Sequence, residues 1–258
     1  CTRGGNLRLH PRKIQFSRHI FKEILRGGFP SLCRQSLMAI STICLNNASG
    51  LYGDAAIAAM SVVSRIMTMA NSALIGFGQG FQPVCGFNYG AKLYDRVREG
   101  FRFCVKWGTL FLVAAGILGY IFAPQLVAIF RDDPEVVAFG TVAMRCQCVT
   151  FPLAAYALVS NMMTQTMGKT LPATILAAAR QGLFFIPAVL LMPLWLDQLG
   201  VQLAQSVADV LSFALTLVMM RRVFLNLKAE ENADMLLRHH RESAPYSAEN
   251  APELPETP

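Results

Sequence analysis

Charge is what this sequence has least of. Asp, Glu, Lys and Arg make up 15% of its 258 residues and hydrophobic residues 53%, whereas about a quarter of a soluble domain is charged. The mean hydropathy is +0.40 even though both ends are polar, so the middle is greasier than the average. Long apolar stretches almost free of charge exclude an ordinary soluble domain and indicate an integral membrane protein that crosses the bilayer several times. Acids are scarcer than bases, which leaves a net charge of +7. The Lys and Arg residues fall between apolar segments, not on one face of a soluble domain, so no nucleic-acid partner is expected and the lipid bilayer is. Histidine is scarce too: His10, His19, His239 and His240 all lie in the polar ends, where the His239-His240 pair amounts to a weak chelate at most. No H-E-x-x-H occurs, and Cys146 and Cys148 form C-x-C without a second cysteine or histidine pair, so neither zinc pattern applies. The seven cysteines read as small packing residues. With no histidine, Cys–His pair or metal cluster at membrane depth, neither an enzyme nor a cofactor is expected. No signal-peptide pattern opens the chain, and a sequence that starts at Cys1 and not at Met is expected to be a fragment.

What is present is a series of six apolar segments, at about 30–51, 54–83, 101–122, 135–165, 171–196 and 201–224. Each is long enough to cross the bilayer as a helix, which takes about 20 residues at 1.5 Å per residue. The expected fold is therefore all-α and integral to the membrane, with a six-helix lobe over 29–228. Before it, residues 1–28 carry seven basic residues against Glu23. Ile14, Phe21, Ile24 and Leu25 fall near helical spacing there, so this linker is read as a basic amphipathic segment suited to an anionic membrane surface. After it, 229–258 is acidic, polar and Pro-rich and is expected to be a disordered cytoplasmic tail. Charge alternates between the ends of the spans. The N-terminal arm, the loop with Lys92, Arg96, Arg98, Arg102 and Lys106, then Lys169, and finally Arg221, Arg222 and Lys228 share one side. Asp54, then Arg131 with Asp132, Asp133 and Glu135, and Asp197 share the other. The positive-inside rule places both ends in the cytoplasm. At the cytoplasmic end of the second span, Pro83, Gly86 and Gly90 are expected to break the helix. Asn47-Ala48-Ser49 is a formal glycosylation sequon and is read as chance.

Charges inside spans are costly and mark function by default. Arg34, Arg65, Arg145, Arg180 and Asp209 are such charges. Arg34 is close enough to the cytoplasmic end to snorkel. Arg65, Arg145 and Asp209 lie roughly 15 Å deep. These groups must pair with one another, for example Asp209 with Arg180 or Arg145, or line a cavity for a polar or anionic ligand. Asp209, the one carboxylate at that depth, is the local candidate for ion coupling. The amides Gln35, Gln79, Gln82, Gln147, Asn161, Gln165 and Gln181 hydrogen-bond between helices when taken singly. Together with Arg65, Arg145 and Arg180 they suggest a polar central cavity. Asn161 and Gln165 share a helix face. Pro152 and Pro187 are interior and are expected to kink their helices.

The stretch "GFGQGFQPVCGFNYGAKLYDRVREG", Gly76 to Gly100, resembles a motif of the multidrug and toxic compound extrusion (MATE) family. "GGFPSLCRQSLMAIST", Gly27 to Thr42, is similar to the start of that family's seventh helix. "QTMGKTLPA", Gln165 to Ala173, is similar to its loop between the tenth and eleventh helices. The resemblance covers about 7–225 and implies the second six-helix lobe of a twelve-helix transporter, the lobes being related by pseudo-twofold symmetry. It implies export of lipophilic, cationic, amphipathic compounds across the plasma membrane by alternating access, driven by H⁺ or Na⁺, with a first lobe in the same or a separate chain. Gln79, Gln82, Pro83, Gly86, Asn88, Tyr89, Gly90 and Lys92 lie in the motif stretch, at the cytoplasmic end of the second span, where a gating or structural role is implied. Some members place a cation on a glutamate of the seventh helix and an aspartate of the tenth. This chain has Arg34-Gln35 and Arg145 with Gln147 there, so that site is absent and coupling would rest on the first lobe. Two other functions compete with the exporter. A lipid-linked oligosaccharide flippase of the same superfamily would use an arginine-rich cavity for a diphosphate headgroup, and a single lobe with no partner to rock against would be a non-transporting membrane fragment or interaction module.

Overall fold

A chain with few charges to solvate its surface must close its backbone hydrogen bonds within each segment, and the structure, a computed structural model, does so. Residues 17–243 are described, and all the regular elements among them are helices. The arm over 1–16, with Ile14, and the tail beyond 243 lie outside the described residues, as do the side chains of Ile24, His239 and His240. Helix α1 runs Arg18–Gly50 and is capped by Ser17, whose hydroxyl accepts the His19 N–H. Helix α2 (Asp54–Gly90) follows a tight turn at Gly53, whose φ of 96° favours glycine. Helices α3 (Tyr94–Ile121) and α4 (Ala123–Phe130) come next, and α5 (Pro134–Thr166) is capped by Asp133. The next segment is α6 (Thr170–Ala178), a π-helical stretch over Ala179–Phe185 and α7 (Ile186–Leu191). Helix α8 spans Pro193–Ser243 with a break at Asp197, where φ is 48°.

Five of these helices are long and apolar enough to cross a membrane: α2, α3, α5, the α6–α7 rod and α8. Helix α1 has the length, but Arg34, Gln35 and Asn46-Asn47 dilute its apolar content, and it does not meet that standard. Three boundaries differ from the sequence reading. Pro83, Gly86 and Gly90 do not break α2 before Gly90; the helix ends in a turn at Ala91 and Lys92, where Lys92 has a φ of 59°. Helix α4 is an additional element, short and started by Pro124 near its N-terminus. The third difference is that the segment from Ala229 to Ser243 is helical and not disordered, as a continuation of α8.

Helix α5 is the central strut and packs against α2, α3 and α8, while α1 pairs with α6. Glycines set the closest crossings. A Cβ at Gly116 of α3 would stand 2.9 Å from the Cys148 carbonyl oxygen of α5, and one at Gly78 of α2 would stand 2.4 Å from Met162 Sδ. Three apolar clusters fill the interior. One joins Leu45, Met60, Val63, Met144 and Phe185; a middle one joins Leu74, Leu112, Phe151 and Ala155; the third, at the end carrying the α2–α3 turn, joins Phe81, Tyr94, Phe101, Met163, Met220 and Leu227. The outside is as greasy as the inside. Trp107, Phe111, Leu118 and Trp195 are exposed, as side chains that meet lipid must be.

Candidate functional site

Pro187 has no N–H to give to the carbonyl one turn back, and just upstream of it the helix is widened into the π stretch Ala179–Phe185. Such bulges interrupt regular helices frequently at functional sites. This one carries Arg180 and Gln181. Ser41 Oγ of α1 stands 2.6 Å from the Gln181 backbone carbonyl and 2.7 Å from that of Leu37, which share its one proton. The bulge is thereby tied to α1.

Arg180 reaches across to α8 and forms a two-pronged pair with Asp209, Nε to Oδ1 at 2.6 Å and Nη2 to Oδ2 at 3.3 Å. Gln205, one turn before, donates Nε2 to the same Oδ1 at 3.0 Å. The Asp209 side chain is 3% exposed and that of Arg180 24%. A carboxylate this buried survives only when its charge and its lone pairs are matched, and three donors match it here.

The pair stands in a cavity of about 130 Å³ between α1, α2, α5, the π stretch and α8. Apart from Arg180 and Asp209 the lining is uncharged. Ser64, Thr68 and Asn71 of α2 and Gln147 of α5 supply hydroxyls and amides, and Met38, Met60, Met67, Phe151 and Phe185 supply soft apolar surface. Asn71 Oδ1 is buried without a hydrogen-bond partner among the described residues. Met38, Thr42 and Thr68 are exposed, so the cavity opens between α1 and α2 on the bundle surface.

Of the residues singled out from the sequence, Gln147, Arg180, Gln181 and Asp209 meet at this cavity. The others do not line it. Arg145 is exposed and lies over the Tyr120 ring at 5.4 Å, and Arg65, Gln35 and Gln79 are exposed on the bundle surface, with Gln82 partly so. The three deep arginines are therefore not gathered. Within the chain an arginine-rich cavity does not form, because Arg65 and Arg145 leave their helices on other faces. Asn161 donates to the Ala173 carbonyl at 2.7 Å and Gln165 to Ser31 Oγ at 3.0 Å, so both staple helices together. Ser41, Asn71 and Gln205 were missed by sequence reading; Gln205 was legible as the neighbour one turn before Asp209.

The motif at the end of α2 serves a second assembly. Asn88 Nδ2 bonds back to the Val84 carbonyl at 2.8 Å. Tyr89 donates to Glu230 at 3.1 Å, and Lys169 meets the other oxygen of Glu230 at 3.0 Å. Lys92 and Tyr94 both bond Asp234, Tyr94 at 2.7 Å, and Arg98 bonds Glu231 as well as Asp95. The acids of the α8 extension thus clasp the α2–α3 turn and the α5–α6 turn. Gly86 lies where α2 crosses α5, with Thr166 Cγ2 at 3.2 Å from its would-be Cβ.

The fold and the cavity define a multi-pass membrane protein with a paired charge buried among its helices. The MatE family model matches residues 30–191, and the chain belongs to that family. It is 25% identical over 181 residues to the multidrug export protein MepA of Staphylococcus saprophyticus, covering 69% of this chain and 39% of MepA. A crystal structure of MATE in complex with MaL6 superposes with a TM-score of 0.79 at 21% identity, over 86% of this chain and 50% of that one. A MOP superfamily transporter from Pyrococcus furiosus gives 0.78 at 21% identity, over 85% and 50%. At that identity the solved structures show the shared fold. The chain spans about 39% of the length of MepA and half of each solved chain.

Proposed function

We propose that this chain is the second lobe of a secondary efflux transporter that moves lipophilic, amphipathic cations out across the plasma membrane by alternating access. One observation carries the reading: a 130 Å³ cavity opens on the bundle surface between α1 and α2. Pockets for drug-sized ligands measure roughly 300–1,000 Å³, so this one suits half of a site that a facing lobe completes. The exposed Gln35 and Gln79 and the half-buried Gln82 then supply further amides for the cleft between lobes. Methionine, aromatic and amide groups re-pack around varied ligands, and the single cavity arginine is spent on Asp209. That arrangement favours cations over a diphosphate headgroup. In this reading α1 also spans the membrane and brings the spans of this lobe to six, both ends of the lobe face the cytoplasm, a six-helix first lobe lies in the same or a separate chain, and H⁺ or Na⁺ drives export.

The test is transport by the native protein in membrane vesicles loaded with a fluorescent lipophilic monocation. Imposed H⁺ and Na⁺ gradients are compared, and a polyprenyl diphosphate is added as competitor. Gradient-driven movement of the cation that the competitor does not reduce supports the exporter. Displacement of the cation by the diphosphate replaces it with a flippase, and no movement under either gradient removes the transport reading.

A further inference from the structure

Helix α8 buries a file of polar side chains. Gln202, Ser206, Asp209, Ser212 and Thr216 are each 2–6% exposed and follow one another at three- and four-residue steps, which places them on one face. The file touches two separate spaces. Gln202, at its upper end, lines a crevice of about 460 Å³ with Glu135, Gln198 and Tyr52, at the end of the bundle opposite the α2–α3 turn. Asp209, lower down, lines the central cavity with Gln205. Ser206 sits between them.

The oxygens of this face are under-used. Gln202 donates Nε2 to the Phe139 carbonyl at 3.1 Å, but its Oε1 has no partner among the described residues, and neither has Ser206 Oγ. Serines in membrane helices can bond their hydroxyl to the backbone one turn back, as Thr216 does to the Ser212 carbonyl at 2.6 Å. Ser206 does not. A buried hydroxyl or amide oxygen without a partner costs about 1–3 kcal/mol, and buried water is the usual remedy where the site is polar. The spacing suits it. Gln202 to Ser206 is a rise of about 6 Å and Ser206 to Asp209 about 4.5 Å, so with hydrogen bonds of about 2.8 Å one water spans the second gap and about two span the first. Below Thr216 the same face turns apolar, with Met220, Val223 and Leu227 packed against Phe81, Tyr94 and Phe101.

We infer that Gln202, Ser206 and Asp209 form a hydrated shaft joining the outer crevice to the central cavity, through which water and protons reach the Asp209 carboxylate from the outer end. Among the described residues, Arg180 is the one other charged group lining the central cavity, and Glu135 the one charged group lining the crevice. Asp209 then has two routes to solvent, one through the cleft and one along α8. The second stays available when the cleft faces the cytoplasm. The inference rests on the orientation proposed above, and it assigns that reading a path for the coupling proton.

The experiment is silver-ion access to a thiol at the middle of the shaft. Ser206→Cys in the full protein is exposed to Ag⁺ from one side of sealed vesicles at a time. Reaction is read by mass spectrometry as protection of that thiol from alkylation after denaturation. Native Cys148, buried on α5, is the control in the same molecule, and Asp132→Cys and Arg96→Cys mark the two membrane faces. The expected result is that the thiol introduced by Ser206→Cys reacts from the Asp132 side at least an order of magnitude faster than Cys148. Reaction no faster than Cys148, or reaction only from the Arg96 side, overturns the shaft. If Cys148 also reacts, the variant has loosened the bundle, and radiolytic footprinting of the unmodified chain decides: water-derived label at Ser206, which lines neither space, supports the shaft, and its absence overturns it. The face markers report orientation, and cation movement reports transport. A failed shaft with both intact therefore leaves the transport reading standing.

Discussion

At the scale of the residue, Arg180 and Asp209 are worth more broken than whole. Their attraction is offset by the cost of bringing both out of water, so the pair adds little net stability, but removing one partner strands a buried charge at a cost of about 3–5 kcal/mol. Arg180→Ala is expected to lower the thermal unfolding midpoint in detergent sharply, because Asp209 keeps only Gln205 as a donor. Replacing both, as Arg180→Met with Asp209→Leu, is expected to restore most of the loss, since an apolar pair of similar volume carries no stranded charge. A double variant as unstable as Arg180→Ala would mean that the pair holds the π stretch in place and does more than balance charge. Gln147 is a different case. It lines the cavity and no helix hangs from its amide, so Gln147→Ala is expected to cost no more than about 1 kcal/mol in thermal unfolding and, on the export function proposed above, to alter which monocations move.

At the scale of the element, glycine at a helix crossing has a cost that depends on what it faces. A Cβ at Gly116 would meet the Cys148 carbonyl oxygen at 2.9 Å, whereas one at Gly78 would meet the end of the Met162 side chain at 2.4 Å. The shorter contact is the more forgiving, because a methionine has three torsions with which to withdraw and a backbone carbonyl has none. Gly116→Ala is therefore expected to destabilise by about 1–3 kcal/mol and Gly78→Ala by less, as read by thermal unfolding. The reverse order would mean that Met162 is pinned. The same scale shows what the sequence could and could not tell. Hydropathy placed the helical segments well, since membrane spans must be long and apolar, and it located the ends of α5 to within a residue. It could not show that α2 passes through Pro83, because the motif's glycines and proline look like a stop when neighbours are unseen. The Arg180–Asp209 pair was legible as one of two pairings, since a lone deep carboxylate must find a cation. The dispersal of Arg65 and Arg145 was not, because the direction in which a side chain leaves its helix depends on packing that periodicity alone does not fix.

At the scale of the whole molecule, the end of α8 works at a distance from the membrane-embedded site. An acidic run read as a disordered tail is helical to Ser243 because its acids have partners: Glu230 takes Tyr89 and Lys169, Glu231 takes Arg98, and Asp234 takes Lys92 and Tyr94. Those partners come from in and around the turns that join α2 to α3 and α5 to α6, so one helix end couples four others. Each partly exposed pair contributes about 0.2–1 kcal/mol, but they act on one element and their effects converge. Replacing Glu230 and Glu231 by Gln and Asp234 by Asn is expected to speed amide exchange across 229–243 and across the α2–α3 turn by about tenfold, the ratio that corresponds to about 1.4 kcal/mol. The α3–α5 crossing at Gly116 is expected to keep its wild-type rates. Salt provides an independent handle: raising ionic strength toward about 1 M shortens the screening length to about 3 Å and should move the wild type toward the variant while leaving the variant unchanged. If both exchange alike at low salt, the acids merely decorate a helix that its apolar face already holds, and Met220 and Leu227, not the clasp, fix that end of the bundle.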